Sequence, residues 1–200
     1  SNSRKIMSDN LILRLSNEIG NQMFMYASAY SISKELNRRL YIDNETAFLS
    51  KKNVSKFGLN LFNITSPIAP DTLKFKNLSG YIKKKFLIKT DLLRSKKKFY
   101  IEKKDRNKIT KYSSDYKNLI FDNNWLLEGH VQSERYFKDY KDEIKRECKI
   151  KNQDTRKKNT YFNENNKLNS VSICLRQNRF IEGRGQNTSQ NKQKSWNLTL

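Results

Sequence analysis

The sequence predicts an α/β fold built on an open parallel sheet, and two stretches carry that prediction. In residues 11–43 an apolar run, "LILRL", is followed by a polar loop, an apolar helix-forming stretch and a second strand ending at Asp43. That order is a βαβ unit, whose usual crossover makes its strands parallel. In residues 125–137, "WLLEGHV" reads as a strand reaching its end at Gly129, and "QSERYF" opens a helix. Places where strands hand over to helices form the ligand edge of such a sheet.

The elements follow in order. "LILRL", 11–15, has the unbroken apolar character of a buried strand. Residues 16–21, "SNEIGN", are a loop, and 22–37 a helix. Met23, Phe24, Ala27, Ala29 and Ile32 make the first half of that helix apolar on most sides, so it packs closely on a sheet. "RRLYIDN" is the second strand, and "FGLNLFNI", 57–64, a short connection closed by Pro67 and Pro70. Residues 71–120 alternate lysine clusters with short apolar groups, which predicts helices or short strands with a strongly basic outer face. In 132–148, Phe137, Tyr140, Ile144 and Cys148 fall on one helical stripe, with Glu134–Lys138 and Asp142–Arg146 as i,i+4 pairs. Residues 150–169 are polar and read as a linker between a first domain, 1–149, and a second that begins at 170–200 with the strand "SVSICL".

Lys and Arg number 41 against 20 Asp and Glu, a formal charge of +21. Such a field attracts polyanions and anionic membrane surfaces. A solvated surface in a Lys-, Asn- and Ile-biased chain is the competing reading. The lysines follow no aromatic–basic register, which argues against a specific nucleic-acid site. No apolar run is long enough to span a membrane, and "SNSRKIMSDN" has no apolar core of a secretion signal. Cys148 and Cys174 form neither a zinc pattern nor a disulfide framework. A cytoplasmic protein is expected, with a peripheral position on the inner face of a membrane as the variant the charge allows.

Three stretches could carry chemistry. At Gly20, Asn21 and Gln22, glycine permits a close approach by a ligand. Helix N–H groups and two amides there can hold phosphate or sugar oxygens. The alternative is a βα turn in which Asn21 caps its own helix. In "EGHVQSERYF", Gly129, His130, Gln132 and Ser133 sit at the ligand edge, although Gln132 and Ser133 could equally cap the helix. In "CLRQNRF", Arg176 ends a strand where a guanidinium can fork onto a phosphate. The chain lacks an Asp-x-Asp pair, His or Cys at metal-ligand spacing, a phosphate-binding glycine loop and a Gly-x-Ser-x-Gly elbow. Nucleotide hydrolysis, hydride transfer and serine esterase chemistry are therefore disfavoured.

The order of these stretches resembles the alpha-1,2-fucosyltransferase family. "RLSNEIGNQMFMYASAYSISKELNRRLYID" is similar to the family's opening, with its loop ending Gly-Asn-Gln-Met/Leu-Phe. "FGLNLFNI" looks like the next segment. "LEGHVQSERYFKDYKDEI" is similar to the block Gly-Tyr-x-Gln-Ser-Glu-x-Tyr-Phe, and "SVSICLRQNRF" falls where the family carries Val-Ser-Val-His-Ile-Arg-Arg-Gly-Asp-Tyr. The resemblance implies two Rossmann-like halves of the GT-B kind, of which this chain holds the first, on the acceptor side. It implies transfer of fucose from GDP-fucose to a galactoside hydroxyl, with inversion and without metal or other cofactor. The acceptor would be an oligosaccharide or glycolipid.

By the same resemblance Arg176 is the catalytic, donor-phosphate arginine. Gly20 and Asn21 approach the donor, and Gln22, Gly129, Gln132 and Ser133 line the acceptor cleft. Asn17 and Glu18 stand for two glycines of the family, Cys174 for its His and Gln177 for its second Arg. Asn178 and Arg179 stand for a Gly and an Asp. The chain stops short of the region that would bind GDP, so an incomplete donor half is expected. Glu18, Asp43 and Glu128 are the carboxylates available as a general base. The rival readings are a basic nucleic-acid-binding protein and a catalytically inactive sugar-binding remnant.

Overall fold

The computed structural model describes residues 9–49, 55–102 and 112–151. They all belong to one unit within Ser1–Gln153. The expected linker beyond Lys151, the strand at 170–175 and Arg176 lie outside the described residues. Four strands, β1 (Asn10–Arg14), β2 (Arg39–Asp43), β3 (Lys97–Ile101) and β4 (Phe121–Glu128), form one sheet in the order β2-β1-β4-β3. Every pairing is parallel, with Leu11 opposite Leu40 on one side and opposite Trp125 on the other. The protein is thus α/β with an all-parallel sheet. The 11–43 unit stands as its sequence predicts, with β1 and β2 direct neighbours.

The sheet is buried on both faces because its central strands are apolar on both. Leu11, Leu13 and Leu15 face one way with Trp125 and Leu127, against helix α1 (Ile19–Glu35). Ile12 and Leu126 face the other way with Ala69 and Phe99, against Leu87 and Ile88 of helix α2 (Asn77–Asp91). Ala27, Ser28, Ala29, Ser31 and Ser33 are all buried in α1. Their small side chains let the helix backbone lie close to the sheet. At the amino edge, Arg38 donates to the carbonyls of Asn10 at 3.3 Å, Asp122 at 2.8 Å and Phe121 at 3.3 Å, tying β1 to β4. Asp91 closes the α2–β3 turn by accepting the N–H groups of Lys98 at 2.9 Å and Phe99 at 3.1 Å.

Two expectations need correction. The first helix begins at Ile19, so Asn21 lies inside its first turn and is not the end of a loop. Residues 132–148 do not form one helix. Two single 3₁₀ turns, Glu134–Tyr136 and Lys138–Tyr140, precede a short helix α3 (Lys141–Glu147). Phe137, at φ −130°, breaks the helical path between the turns. Phe137, Tyr140, Ile144 and Cys148 still pack on the core, so the periodicity marked the buried side of a discontinuous backbone. Glu134 pairs with Lys141, Asp142 with Lys145 and Glu143 with Lys34, in place of the expected i,i+4 pairs. Residues 71–120 do hold a helix and a short strand, α2 and β3. The first two residues of the expected linker are tied back, Ile150 bridging Phe62 and Lys151 donating to the Leu61 carbonyl at 2.8 Å. Among the described residues no helix is long and apolar enough to cross a membrane.

Buried tyrosines predict a loss of stability at alkaline pH. Burial raises the pKa of Tyr26, Tyr30 and Tyr116, and acceptance of their hydroxyl protons by Glu147, Glu143 and Glu35 raises it further. Burial also pushes Tyr136 up to about 12. Above the ordinary tyrosine value near ~10 the unfolded chain sheds these protons and the folded one keeps them. Stability must then fall with rising pH, by about 1.4 kcal/mol per pH unit for each tyrosine still protonated. Urea midpoints should fall steeply above about pH 10, and Tyr26→Phe should make the fall shallower. Midpoints that stay level through that range would contradict this.

Candidate functional site

The carboxyl edge of the sheet brings together two loops that are far apart in sequence. The first, residues 15–18, joins β1 to α1. The second, residues 129–133, follows β4, which pairs with β1. The register between these strands sets the loops side by side. Asn17 Nδ2 lies 2.8 Å from His130 Nε2. Gln132 donates through Nε2 to Asn21 Oδ1. Gly20, Asn21, Gly129, Gln132 and Ser133 therefore share one edge, as the sequence predicts for this unit, and Glu18, Gly20 and Gln132 are exposed on it.

The loop chemistry differs from the expectation in detail. Positive φ falls at Asn17, at 64°, whereas Gly20 has helical geometry and is not among the positive-φ residues. Asparagine tolerates the left-handed region better than other non-glycine residues, which suits a position where the resembling family has glycine. A Cβ on Gly20 would meet nothing within 4 Å, so the space over the first turn of α1 is open. No side chain caps that turn. Its leading N–H groups have no acceptor within the helix by construction.

Gln22 is placed otherwise than expected. It is fully buried and does not line a cleft. Its amide donates to the carbonyls of Asn17 and Lys56, both at 2.7 Å, and accepts from the N–H of Gly58 at 2.9 Å. The side chain pins the 15–18 loop to the segment at 55–58 from beneath.

The second loop is held by Glu102, which the sequence reading did not single out. Its carboxylate accepts the N–H of His130 at 2.7 Å and that of Val131 at 3.1 Å. Gly129, at φ 150°, packs so near that an added Cβ would lie 2.3 Å from Glu102 Cβ. Glycine is required there. Val131 sits at φ 40°, a strained conformation for a β-branched residue. Its complete burial, the grip of Glu102 and a hydrogen bond from Ser28 Oγ to its carbonyl at 2.7 Å keep it in place. Ser133 caps the 3₁₀ turn that follows by accepting from the Arg135 N–H, as one sequence alternative held.

Arg14, Glu128 and Lys84 beside these loops form one paired group. Arg14 donates to Glu128 at 2.8 Å and to Thr46 Oγ1 at 3.0 Å, and Lys84 of α2 binds the other Glu128 oxygen. Burial lowers the Lys84 pKa, and Glu128 opposes that shift. Asp43 is buried, and it accepts the N–H groups of Glu45 at 3.1 Å and Thr46 at 3.0 Å and the Thr46 hydroxyl at 2.5 Å. Of the three carboxylates considered as a base, Asp43 thus shapes a turn and Glu128 bridges two cations. Glu18 stands exposed at the start of α1, with Oε1 3.1 Å from Ser55 Oγ. Among the described residues no group of three or more His, Cys, Asp or Glu side chains could hold a metal ion.

Beside the exposed Glu18 carboxylate, this edge offers amides, an imidazole and backbone N–H groups. It presents the amides of Asn21 and Gln132, the imidazole of His130 and the first-turn N–H groups of α1. Each amide carries two donors and an acceptor with two lone pairs, more than their mutual hydrogen bond uses. Such a set suits hydroxyl groups better than a free phosphate, for which a fixed unpaired cation is the stronger partner. Comparison with protein-family models, with curated proteins and with solved structures finds no match for this chain.

The role of Gln22 can be tested directly. Gln22→Ala should lower the unfolding free energy by about 2–4 kcal/mol, since it opens a cavity and leaves three backbone groups unpaired. Gln22→Glu should also destabilise at neutral pH, because both donations to carbonyls are lost. Chemical denaturation measures this. A Gln22→Ala protein of normal stability would contradict the clamp.

Proposed function

We propose that the protein is a glycosyltransferase of the alpha-1,2-fucosyltransferase kind, with the described unit as the acceptor-side half of a GT-B arrangement. One observation carries this reading. The two stretches that resemble the family's cleft-facing blocks, around Gly20–Gln22 and Gly129–Ser133, meet through Asn17–His130 and Asn21–Gln132 at one edge of a parallel sheet. Nothing in either stretch alone demands that meeting. The amide-rich character of the edge supports recognition of sugar hydroxyls.

The reaction follows from the donor chemistry. A hydroxyl of the galactoside attacks C1 of fucose from the face opposite the departing oxygen. The C1–O bond breaks, GDP leaves with the electron pair, and the configuration at C1 inverts. A general base removes the hydroxyl proton. We take Glu18 for that role, because it is exposed on the loop edge whereas Asp43 shapes a turn and Glu128 bridges two cations. Negative charge grows on the diphosphate as the bond breaks. Arg176, with Gln177 beside it in place of a second arginine, is proposed to offset that charge.

The test is transfer of fucose from GDP-fucose to a galactoside, compared for wild type, Arg176→Ala and Arg176→Lys. Loss of a preorganised donor typically lowers turnover about 10²–10³-fold. Arg176→Ala should show a fall of that size with little change in acceptor affinity. Arg176→Lys should recover part of it, because an ammonium keeps the charge and loses the planar fork. Normal turnover in a folded Arg176→Ala protein would overturn the donor-phosphate role. No transfer, together with tight salt-sensitive binding of an RNA oligomer, would favour the nucleic-acid reading.

A further inference from the structure

The outward face of α2 is apolar where a solvated helix should be polar. Leu78, Ile82 and Phe86 recur every four residues, share one stripe, and are 75 %, 59 % and 66 % exposed. The opposite side of the helix, with Leu87, Ile88 and buried Asp91, faces the sheet. The apolar run continues past the helix end, where Leu92 and Leu93 are 84 % and 91 % exposed. Lys97 N–H donates to the Ile120 carbonyl, setting the exposed Ile120 beside the α2–β3 turn. A single exposed leucine is ordinary, but a contiguous surface of this kind marks an interaction site.

The same face is basic. Lys83, Lys85, Lys89, Arg94 and Lys96 are exposed in and around it, and Lys85 lies 4.5 Å from the centre of the Tyr81 ring. We propose that this face docks on an anionic lipid bilayer, with α2 lying in the headgroup boundary and its apolar stripe in the acyl region. Such helices combine an apolar stripe with flanking Lys and Arg. The inference stands independently of the fucosyl-transfer reading.

Charge complementarity and side-chain type select the occupant. A second copy of the chain would bring these lysines against their own kind. A nucleic acid would answer the charge and offer Leu78, Ile82, Leu92 and Leu93 no apolar phase. An anionic bilayer answers both. At 15 residues α2 is about 22 Å long, suited to lying in the membrane plane. Asn21 and Gln132 belong to the α1 side of the sheet, so docking through α2 leaves the carboxyl-edge loops open to water.

The experiment is co-sedimentation with vesicles of phosphatidylcholine alone and of phosphatidylcholine mixed with phosphatidylglycerol. The protein should bind the mixed vesicles and scarcely the neutral ones. Combined Ile82→Ser, Phe86→Ser and Leu93→Ser should weaken that binding about tenfold or more with an unchanged circular dichroism spectrum. Phe86→Trp should add emission that shifts to the blue on mixed vesicles and is quenched by brominated lipid. Absence of binding to mixed vesicles, or equal binding by the triple serine variant, would overturn the proposal. Tighter binding to an RNA oligomer, weakened by the same three substitutions, would replace the membrane with a nucleic acid. Self-association abolished by those substitutions would replace it with a second copy.

Discussion

Strand β1 is the constraint on which the rest of the described structure depends. Its residues are apolar on both faces and its backbone is hydrogen-bonded along both edges, to β2 and to β4, always in parallel. Burial on both faces forces a helix onto each side, which α1 and α2 provide. Parallel pairing sends every strand to the same edge, so the loops that follow β1 and β4 must meet there. The strand order then determines which loops can touch. Because β4 is the neighbour of β1, the loop at Gly129 lies against the loop at Asn17, more than a hundred residues earlier in the chain.

The edge so formed has two layers with different work. Beneath, Gln22, Glu102 and the Arg14–Glu128–Lys84 group hold the loops by closing buried or half-buried hydrogen bonds. Above, Asn21, His130 and Gln132 present polar groups near an uncapped helix start. Truncating a group in the lower layer should first lower stability, and doing so in the upper layer should first alter binding. The strain at Val131 fits this division, since complete burial and Glu102 hold a conformation that the residue would not adopt alone.

The βαβ unit was legible because local pattern and tertiary role agree there. "LILRL" is apolar without alternation because both faces of the sheet are covered, and α1 is buried from Met25 to Ser33 because it sits deep, whereas Phe24, expected to pack with them, stays exposed. The break in 132–148 was hidden because Phe137, Tyr140, Ile144 and Cys148 keep helical spacing although the backbone turns at Phe137. Gln22 was misread because a polar residue beside a glycine suggests a surface, whereas its neighbours in space are carbonyls at Asn17 and Lys56. Lys84 and Glu102 could not be picked out because their roles depend on strand order, which no local window contains. The outer face of 71–120 was expected to be basic. It is basic and apolar together, since lysines and large apolar residues share the outward side of α2.

The central claim is that the two carboxyl-edge loops form one sugar-binding surface. Amide hydrogen exchange, followed with and without a β-galactoside, tests it most directly. The account predicts slowed exchange in residues 17–22 and 128–133 together, with α2 unchanged. Slowing in only one of the two loops, or on α2 and not at the edge, would contradict it.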